Sequence, residues 1–374
     1  MQAHETQTAE KATYANRLPA GKPLKRKAWK RLGLGLLLLL IAGGVWLTGL
    51  ARSLDPQTHF RSLAGNALTV PLPVAPEDTE PASSDAEPSG PSNFPAERSA
   101  ALAPSPAAAA ASPAPATASS SFNVVLIGTD TWGDEHARAD TIMVAHVMPE
   151  KRKVNVVSIP RDTRVYVQGV GYTKINHAHI VGENKGGNRQ GTLTLVQAVS
   201  DFLGIPVHQY MKTDFAGVID FIDSMGGLDM VVEQDVTITP EITIKRGAQR
   251  LDGQHVLFLA RERYTLADGD FGRQREQFRI VRAAAKQLLR PEHLPDLAGL
   301  LRTGRDDILD TSFADSDLLS LAWLFRGMEA EDFTYEQIPG KDQFGHDPLV
   351  GDEVYYWSAD QGQVRSIRER LFQE

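Results

Sequence analysis

The chain contains no cysteine. Disulfide frameworks, thiolate zinc sites and cysteine nucleophiles are therefore excluded. The sequence also lacks a Gly-x-x-x-x-Gly-Lys-Ser/Thr motif, which argues against a P-loop nucleotidase. Neither absence decides between a reducing and an extracytoplasmic compartment.

An excess of basic residues is missing as well. Lysine and arginine number 39 against 47 aspartates and glutamates, which gives a formal net charge of −8. Overall acidity argues against nonspecific binding to nucleic acid, whose phosphates attract basic surfaces. We therefore expect no nucleic-acid partner.

One long apolar run stands near the N-terminus. A basic cluster between Lys22 and Arg31 precedes the uncharged run from Leu32 to Leu50. As a helix, this run of about 19 residues would span about 28 Å, close to the hydrocarbon thickness of a bilayer. Because positive charge precedes the run, we predict a cytoplasmic tail (1–31), one transmembrane helix (32–50) in the cytoplasmic membrane and an extracytoplasmic remainder. A cleaved signal peptide is the alternative, but the long polar N-terminus and long apolar core favour an uncleaved anchor.

Residues 51–121 are rich in proline, alanine, serine and acidic side chains. Low-complexity runs such as 103–121 carry too little apolar surface to offset the entropy lost on ordering. We predict a disordered linker here, which would hold a folded domain well away from the membrane.

Strand and helix patterns alternate from Phe122 to the C-terminus. Apolar runs at 123–127, 141–147 and 154–159 are typical of strands buried on both faces. A loop rich in glycine and asparagine is predicted at 182–191, followed by a helix that ends at Gly204. The pattern predicts one α/β domain (122–374), with a central mixed sheet and helices on both faces.

Arginines concentrate in one stretch of this domain. An apolar run leads to Arg261 and Arg263, whose spacing would put both guanidiniums on one face of an extended chain. After a short loop, Asp270 is predicted as a helix N-cap, and Arg273 and Gln277 then lie on one side of that helix. Converging arginines capture phosphate oxygens, so the stretch suggests a pyrophosphate site. The alternative is a solvated, salt-bridged helix face, because acidic residues are interleaved.

Two aspartates stand at predicted strand ends, Asp130 after the first strand and Asp140 before the second. Mg²⁺ prefers one or two carboxylates plus substrate phosphate oxygens, so this pair suggests a Mg²⁺-diphosphate site. A turn or cap role for each is the alternative. Lys174 and Asn176, placed by their spacing on one strand face, would reach phosphate or face solvent.

Eight short motifs stand in order along the domain. They are Gly128-Thr-Asp130, Arg138-Ala-Asp140-Thr-Ile-Met143, Ser158-Ile-Pro-Arg161-Asp162, Lys174-Ile-Asn176, Gly226-Gly227-Leu-Asp229, Leu251-Asp-Gly253, Arg261-Glu-Arg263 and Asp270-Phe-Gly-Arg273. Together they resemble the LytR-CpsA-Psr family, and the resemblance covers about 122–374.

The resemblance implies an extracytoplasmic phosphotransferase. Members of the family move a glycopolymer from an undecaprenyl-pyrophosphate carrier onto peptidoglycan. The implied partners are the carrier-linked glycan, the peptidoglycan acceptor and the membrane, and the implied cofactor is Mg²⁺ or Mn²⁺. The prenyl chain is expected in an apolar channel in the core, near Val199 and 215–221.

The resemblance also assigns residues. The positions that match the family's metal carboxylates are Asp130 and Asp140. Those that match its pyrophosphate-binding residues are Arg161, Lys174, Arg261, Arg263, Arg273 and Gln277, with Asn176 and Asp270 in support. We expect Arg161, Arg261, Arg263 and Asp140 to act in catalysis. The residues expected to bind substrate are Lys174, Asn176, Asp270, Arg273 and Gln277.

Two positions depart from the family pattern. Trp132 stands where the family commonly has an arginine, and Glu276 stands before Gln277 where an Arg-Gln pair is usual. Arg275 or Arg279 is a candidate substitute from a neighbouring turn. Three alternatives stay open: a hydrolase that splits the carrier diphosphate without transfer, a membrane-bound regulator of the transcriptional-attenuator type, and a scaffold that binds polyprenyl lipid.

Overall fold

The structure, a computed structural model, describes residues 52–72, 119–131, 137–240, 242–266, 268–288 and 310–373, and the single residues 49, 290 and 293. The predicted cytoplasmic tail and, apart from Gly49, the predicted transmembrane helix lie outside these ranges. So do Trp132 and most of the predicted linker. None of the helices within the described ranges is both long and apolar enough to cross a bilayer.

Helices and strands alternate along most of the described chain. The helices are α1 (Pro56–His59), α2 (Arg61–Ala64), α3 (His177–Leu203), α4 (Phe215–Ser224), α5 (Gly253–Arg261), α6 (Asp270–Leu288), α7 (Asp315–Phe325) and α8 (Gln361–Leu371). The strands are β1 (Phe122–Thr129), β2 (Ala139–Met148), β3 (Lys153–Ser158), β4 (Arg164–Val167), β5 (Gly171–Lys174), β6 (Gln209–Thr213), β7 (Leu228–Val232), β8 (Val236–Thr237), β9 (Thr243–Ile244), β10 (Gly247–Leu251), β11 (Asp310–Thr311), β12 (Phe333–Gln337), β13 (Gly340–Asp347) and β14 (Asp352–Ala359).

A six-stranded mixed sheet forms the centre of the domain, in the order β11-β6-β1-β2-β3-β12. β1 pairs parallel with β6 and antiparallel with β2. β3 pairs antiparallel with β2 and parallel with β12. The three apolar runs predicted as buried strands are the central strands β1, β2 and β3, so the prediction of a central mixed sheet is confirmed.

Successive side chains of a strand point to opposite faces, and β1 uses both faces to build two cores. Val125 and Ile127 belong to a buried cluster with residues of α3 and α8. Phe122 and Val124 belong to a second cluster with residues of α6 and α7. Helices therefore cover both faces of the sheet, as predicted.

The predicted loop at 182–191 is wrong, because α3 runs through it. The helix kinks at Gly186 and Gly187, and Gly187 has a φ of 76°, which residues with a Cβ rarely adopt. Val181 before the kink and Leu195 after it lie in the same buried cluster. Tertiary packing thus holds the helix together across glycines whose local propensity would end it.

The hairpins β4–β5 and β13–β14 are missing from the sequence-based prediction. The buried carboxylate of Asp347 joins them, because it accepts hydrogen bonds from Thr173 Oγ1 of β5 (2.8 Å) and from the Tyr356 hydroxyl of β14 (2.9 Å). It also accepts the backbone N–H of Leu349 (2.8 Å). Burial alone would raise the pKa of Asp347, but these donors lower it. One charged group thus fixes both hairpins in place.

Part of the stretch predicted to be a disordered linker is folded. Within 52–72, α1 and α2 carry Phe60, which is fully buried with its ring 4.6 Å from that of Phe122. Farther on, the Thr69 carbonyl accepts the Val207 N–H at 3.0 Å. The ordered domain therefore includes residues before Phe122. Composition averaged over a long window hides a short apolar pattern of this kind.

Phe60→Ala is expected to lower the free energy of unfolding by about 3–5 kcal/mol, because it removes a fully buried aromatic ring. Urea denaturation followed by tryptophan fluorescence measures the change. Arg61→Ala, exposed and next in sequence, is the matched control and should stay within about 0.5 kcal/mol of the parent. Equal midpoints for the two variants would mean that α1 adds nothing to the core.

Candidate active site

One edge of the central sheet collects polar residues from several strands. The strand directions bring the C-terminal ends of β1, β3, β6 and β12 to the same edge as the N-terminal end of β2. Asp130 directly follows β1, Asp140 is the second residue of β2, and Arg161 lies just beyond β3. The fold therefore brings together residues that are far apart in the sequence.

Arg161 and Arg273 share the carboxylate of Asp140. Arg161 Nη1 donates to Asp140 Oδ1 at 2.6 Å, and Arg273 Nη1 lies 3.9 Å from Asp140 Oδ2. Arg273 Nη2 also pairs with Asp270 Oδ1 at 2.6 Å. Asp270 is the first residue of α6, and Arg273 lies one turn later on the same helix. This charge network ties β2, the segment after β3 and α6 together.

Burial affects the two guanidiniums differently. Arg273 is 5% exposed, and burial lowers its pKa, as do the nearby Arg161 and Arg263. Burial also opposes the charge of Arg161, but the Asp140 carboxylate outweighs it and raises the pKa. Arginine stays protonated at working pH, so the network keeps a fixed positive charge.

Gln274 is a site residue that the sequence analysis missed. It is 3% exposed; its Oε1 accepts the Ser158 hydroxyl at 2.7 Å, and its Nε2 donates to Asp270 Oδ2 at 2.8 Å. Gln274 therefore holds the carboxylate that in turn holds Arg273. Its spacing of four from Asp270 on a helix was the available signal.

Asp130 is held by its own loop. Its Oδ1 accepts the backbone N–H of Arg138 at 2.9 Å, and its own N–H donates to the Arg138 carbonyl at 3.1 Å. Ala137 is anchored to α3, since its N–H donates to Glu183 Oε2 (3.3 Å) and its carbonyl lies 3.1 Å from His179 Nδ1. Burial lowers the pKa of His179, so the ring is neutral and its Nδ1–H donates to the Ala137 carbonyl.

Asp130 and Asp140 fit a site for a hard cation. Their strands are hydrogen-bonded neighbours, with Thr129 opposite Ala139, so both carboxylates stand at one edge. Mg²⁺ takes one or two protein carboxylates and completes its shell with water and phosphate oxygens. Within the described ranges, no group of three or more His, Asp or Glu could form a closed metal cage. An ion held here would depend on substrate oxygens.

Lys174 and Asn176 do not share a strand face, which corrects the sequence-based prediction. Lys174 ends β5, and its Nζ donates to Asp162 Oδ1 at 2.6 Å. Asn176 already has helical φ and ψ at the start of α3, and its N–H donates to the Arg161 carbonyl at 3.2 Å. Both residues nevertheless bind the 161–162 segment and stand beside the charge network.

The prediction that Arg261 and Arg263 lie on an extended chain is also wrong. Arg261 ends α5, and Arg263 follows after Glu262 leaves the helix with a ψ of 132°. The guanidinium of Arg261 lies 4.6 Å from the ring centre of Phe215, and that of Arg263 lies 4.9 Å from the ring centre of Tyr264. Both arginines are exposed, and among the described residues neither has an ion-pair partner.

The segment before Arg261 forms helix α5 because its apolar residues then lie on one buried face. Val256, Leu257 and Leu259 are buried, a spacing that suits a helix. The Asp252 carboxylate caps the first turn by accepting the His255 N–H at 2.9 Å. The run of apolar residues was too short to separate helix from strand by period alone.

Gln277 lies one turn after Arg273 on the same side of α6, as predicted. It is 7% exposed, and its Nε2 donates to the Ala260 carbonyl at 2.9 Å. This bond fixes the last turn of α5 and hence the backbone of Arg261.

The candidate substitutes Arg275 and Arg279 are paired elsewhere. Arg275 pairs with Asp268 at 2.6 Å. Arg279 pairs with Glu276 at 2.9 Å and with Glu233 at 3.1 Å. Burial raises the pKa of Glu276, and the ion pair with Arg279 opposes that rise. The glutamate that departs from the family pattern is therefore matched by a neighbouring arginine.

A pocket of ≈ 280 Å³ opens beside the charge network. It is lined by Pro160, Arg161, Asp162, Arg263, Asp270, Phe271, Tyr355 and Trp357. Tyr355 and Trp357 come from β14, in a hairpin that is missing from the sequence-based prediction. Three adjacent aromatic residues at 355–357 were the available signal.

A model of the LytR_cpsA_psr family matches residues 95–373 of the chain. Two named relatives illustrate the likeness. The chain is 27% identical over 261 residues to the polyisoprenyl-teichoic acid–peptidoglycan teichoic acid transferase TagV of Bacillus subtilis, a match that covers 67% of this chain and 63% of TagV. It is 33% identical over 259 residues to the corresponding transferase TagU of Bacillus cereus, which covers 68% of this chain and 80% of TagU.

Solved structures share the fold. The crystal structure of Bacillus subtilis TagV superposes with a TM-score of 0.56 at 27% identity, over 68% of this chain and 98% of that one. The structure of the Lin1025 protein from Listeria innocua superposes with a TM-score of 0.54 at 25% identity, over 68% and 99% of the two chains.

Gln274→Ala is expected to lower the free energy of unfolding by about 1–3 kcal/mol, because Ser158 and Asp270 each lose a buried hydrogen-bond partner. Urea denaturation measures the loss. Gln363→Ala, an exposed glutamine on α8, is the matched control. A Gln274→Ala variant as stable as this control would show that the glutamine does not hold the network.

Proposed function

Because the chain belongs to the LytR_cpsA_psr family, we propose that it is a phosphotransferase that moves a glycopolymer from a polyprenyl-pyrophosphate carrier onto peptidoglycan. Relatives named as polyisoprenyl-teichoic acid–peptidoglycan transferases support this. The observation that carries the proposal is the pair Arg261 and Arg263. Within the described residues they have no ion-pair partner, whereas the arginines of the adjacent network are paired with carboxylates.

The two kinds of arginine have different tasks. Arg161 and Arg273 are held by Asp140 and Asp270, so their charge is already in place before substrate arrives. Charge that needs no reorganisation stabilises a developing anion best. Arg263 lines the pocket and is exposed, so it is available to close on a diphosphate.

The reaction breaks the phosphoanhydride bond of the carrier diphosphate and forms a phosphodiester with the acceptor. An acceptor hydroxyl attacks the glycan-linked phosphorus, and the bond from that phosphorus to the bridging oxygen breaks. The leaving group is polyprenyl phosphate, on which negative charge accumulates. Arg161, Arg261, Arg263 and Arg273 stabilise that charge, and the acceptor proton passes to solvent or to a nearby carboxylate.

Asp130 and Asp140 would hold Mg²⁺ or Mn²⁺, which neutralises phosphate charge when bound. Asp140 has a second task in this proposal, because it orients Arg161 through the 2.6 Å hydrogen bond. Lys174 and Asn176 complete the phosphate-binding side by fixing the segment that carries Arg161.

The prenyl chain would follow α4 into the apolar core. Phe215, Val218 and Phe221 on this helix are only partly buried, although the helix is strongly apolar. Arg261 stacks on Phe215 at the start of α4, and the Phe215 N–H donates to the Thr131 carbonyl next to Asp130. A lipid phosphate at Arg261 would thus place its chain along an apolar surface. We assign the run 32–50 as the anchor, with the N-terminus in the cytoplasm and the domain outside.

Arg261→Ala and Arg263→Ala should each lower the transfer rate by about 10²–10³-fold, because each removes one cation that stabilises the charge on the leaving phosphate. The measurement is turnover of a lipid-linked glycan with a peptidoglycan acceptor, with product analysis that separates transfer from hydrolysis. Arg275→Ala, on the exposed face of the same region, serves as the control. Normal turnover in either site variant would contradict the assignment.

Chelation of divalent ions should abolish transfer, and added Mg²⁺ or Mn²⁺ should restore it. Asp130→Asn should raise the ion concentration needed for half-maximal rate, because one of two anionic ligands is lost. Mn²⁺ binding followed by electron paramagnetic resonance gives a readout independent of turnover. Asp315→Asn, an exposed carboxylate on α7, is the control, and unchanged Mn²⁺ binding in Asp130→Asn would remove that residue from the site.

A further inference from the structure

One face of the β13–β14 hairpin carries an aromatic and acidic strip. Directly opposite residues of an antiparallel pair share a face, as do alternate residues along each strand. The cross-strand pairs on this face are Asp342 with Trp357, Phe344 with Tyr355, and His346 with Glu353. These six residues form the hairpin strip.

The inner end of the hairpin strip is a wall of the pocket. Tyr355 and Trp357 line the pocket together with Arg161 and Arg263. The outer end is open, because His346 and Glu353 are exposed, and Phe344 in the middle of the strip is 69% exposed. At about 3.3 Å per residue, the distance along β14 from Trp357 to Glu353 is about 13 Å. The strip therefore leads from the reacting groups to the surface, over a length greater than one sugar ring.

The rings of the hairpin strip are fixed by their neighbours. Trp357 Nε1 donates to the Ile338 carbonyl at 3.1 Å, and its ring meets that of Phe271 edge-on at 4.9 Å. The Tyr355 hydroxyl donates to Asp342 Oδ1 at 2.8 Å. The Phe344 ring lies 5.9 Å from that of Tyr355. A surface ordered in this way loses little entropy when a ligand binds.

The chemistry of the hairpin strip suits a sugar chain. The negative face of an aromatic ring attracts polarised C–H groups, which pyranose rings present on their apolar faces. Exposed carboxylates such as Asp342 and Glu353 accept hydrogen bonds from hydroxyl groups. The same carboxylates repel polyanions, so a phosphate-rich donor chain does not fit here. A glycan whose rings carry no charge does.

We propose that the hairpin strip is the subsite for the acceptor glycan strand. The strand would lie along Phe344 and Tyr355 and present its hydroxyl in the pocket beside Arg161 and Arg263. The inference rests on the proposed function, because only transfer requires an acceptor. The prenyl chain of the donor then lies along α4 and the acceptor along β13–β14, so the acceptor hydroxyl approaches the donor's phosphorus from the side of the hairpin.

The first test is direct binding, which needs no turnover. The probe is a tetramer of N-acetylglucosamine, an uncharged amino-sugar chain, titrated into the full-length protein in detergent by calorimetry. Phe344→Ala is expected to weaken binding by about 3- to 10-fold, the effect of one lost aromatic contact. Phe344→Tyr, which keeps a ring, should restore it. Leu349→Ala, an exposed apolar side chain at the hairpin turn and off the strip, is the matched control.

The second test is kinetic. Phe344→Ala should raise the KM for the acceptor strand by a similar factor, with the rate restored at saturating acceptor. Equal tetramer affinity in the parent and Phe344→Ala would overturn the proposal. If Phe344→Ala loses binding to phosphatidylglycerol vesicles but keeps its affinity for the tetramer, the proposal is also overturned, and the hairpin strip is a membrane contact. Tetramer binding that depends on Phe344 in a protein without transfer activity would show that the hairpin strip binds glycan, and it would refute the proposed function and with it the role of the glycan as acceptor.

Discussion

The paired charges of Arg161, Arg273, Asp140 and Asp270 are the interaction on which the geometry of the site depends. Arg273 is almost fully buried, and a buried charge is tolerated only when oppositely charged groups and hydrogen bonds surround it. The carboxylates that pair with Arg273 belong to Asp140 on β2 and to Asp270 at the start of α6. The need to satisfy one guanidinium therefore fixes the position of α6 relative to the sheet edge, and with it the positions of Gln274 and Gln277.

That constraint divides the positive groups into two classes. The paired arginines hold the scaffold and provide a field that does not change when substrate arrives. Arg261 ends α5 and Arg263 lies on the segment between α5 and α6; both are exposed and stacked on aromatic rings. Within the part of the chain that the structure describes, Arg261 and Arg263 have no ion-pair partner, and the proposal of a diphosphate site rests on this difference from the paired arginines.

Several elements follow from local sequence signals, and others do not. The buried strands β1, β2 and β3 are readable because both of their faces are covered, which produces continuous apolar runs. The segment before Arg261 misleads, because five apolar residues fit a strand as well as a helix and only the neighbouring elements decide. The kinked helix α3 misleads for the opposite reason, since glycines that end an isolated helix are tolerated when both halves share one core. The hairpin β13–β14 has only weak apolar alternation. The buried Asp347 holds it against β4–β5 through Thr173, which is 174 positions away in the sequence.

By itself, the sequence determined the α/β class, the order of the motifs and the types of residue available for phosphate chemistry. These properties depend on composition and on spacing along the chain, so they are predictable from the sequence. The tertiary structure decided which arginines are paired and which are exposed, that Asp130 and Asp140 share an edge, and that an aromatic hairpin borders the pocket. Some of the contacts that decide this, such as Arg273 with Asp140 and Gln274 with Ser158, join residues more than a hundred positions apart, and no local pattern encodes such contacts.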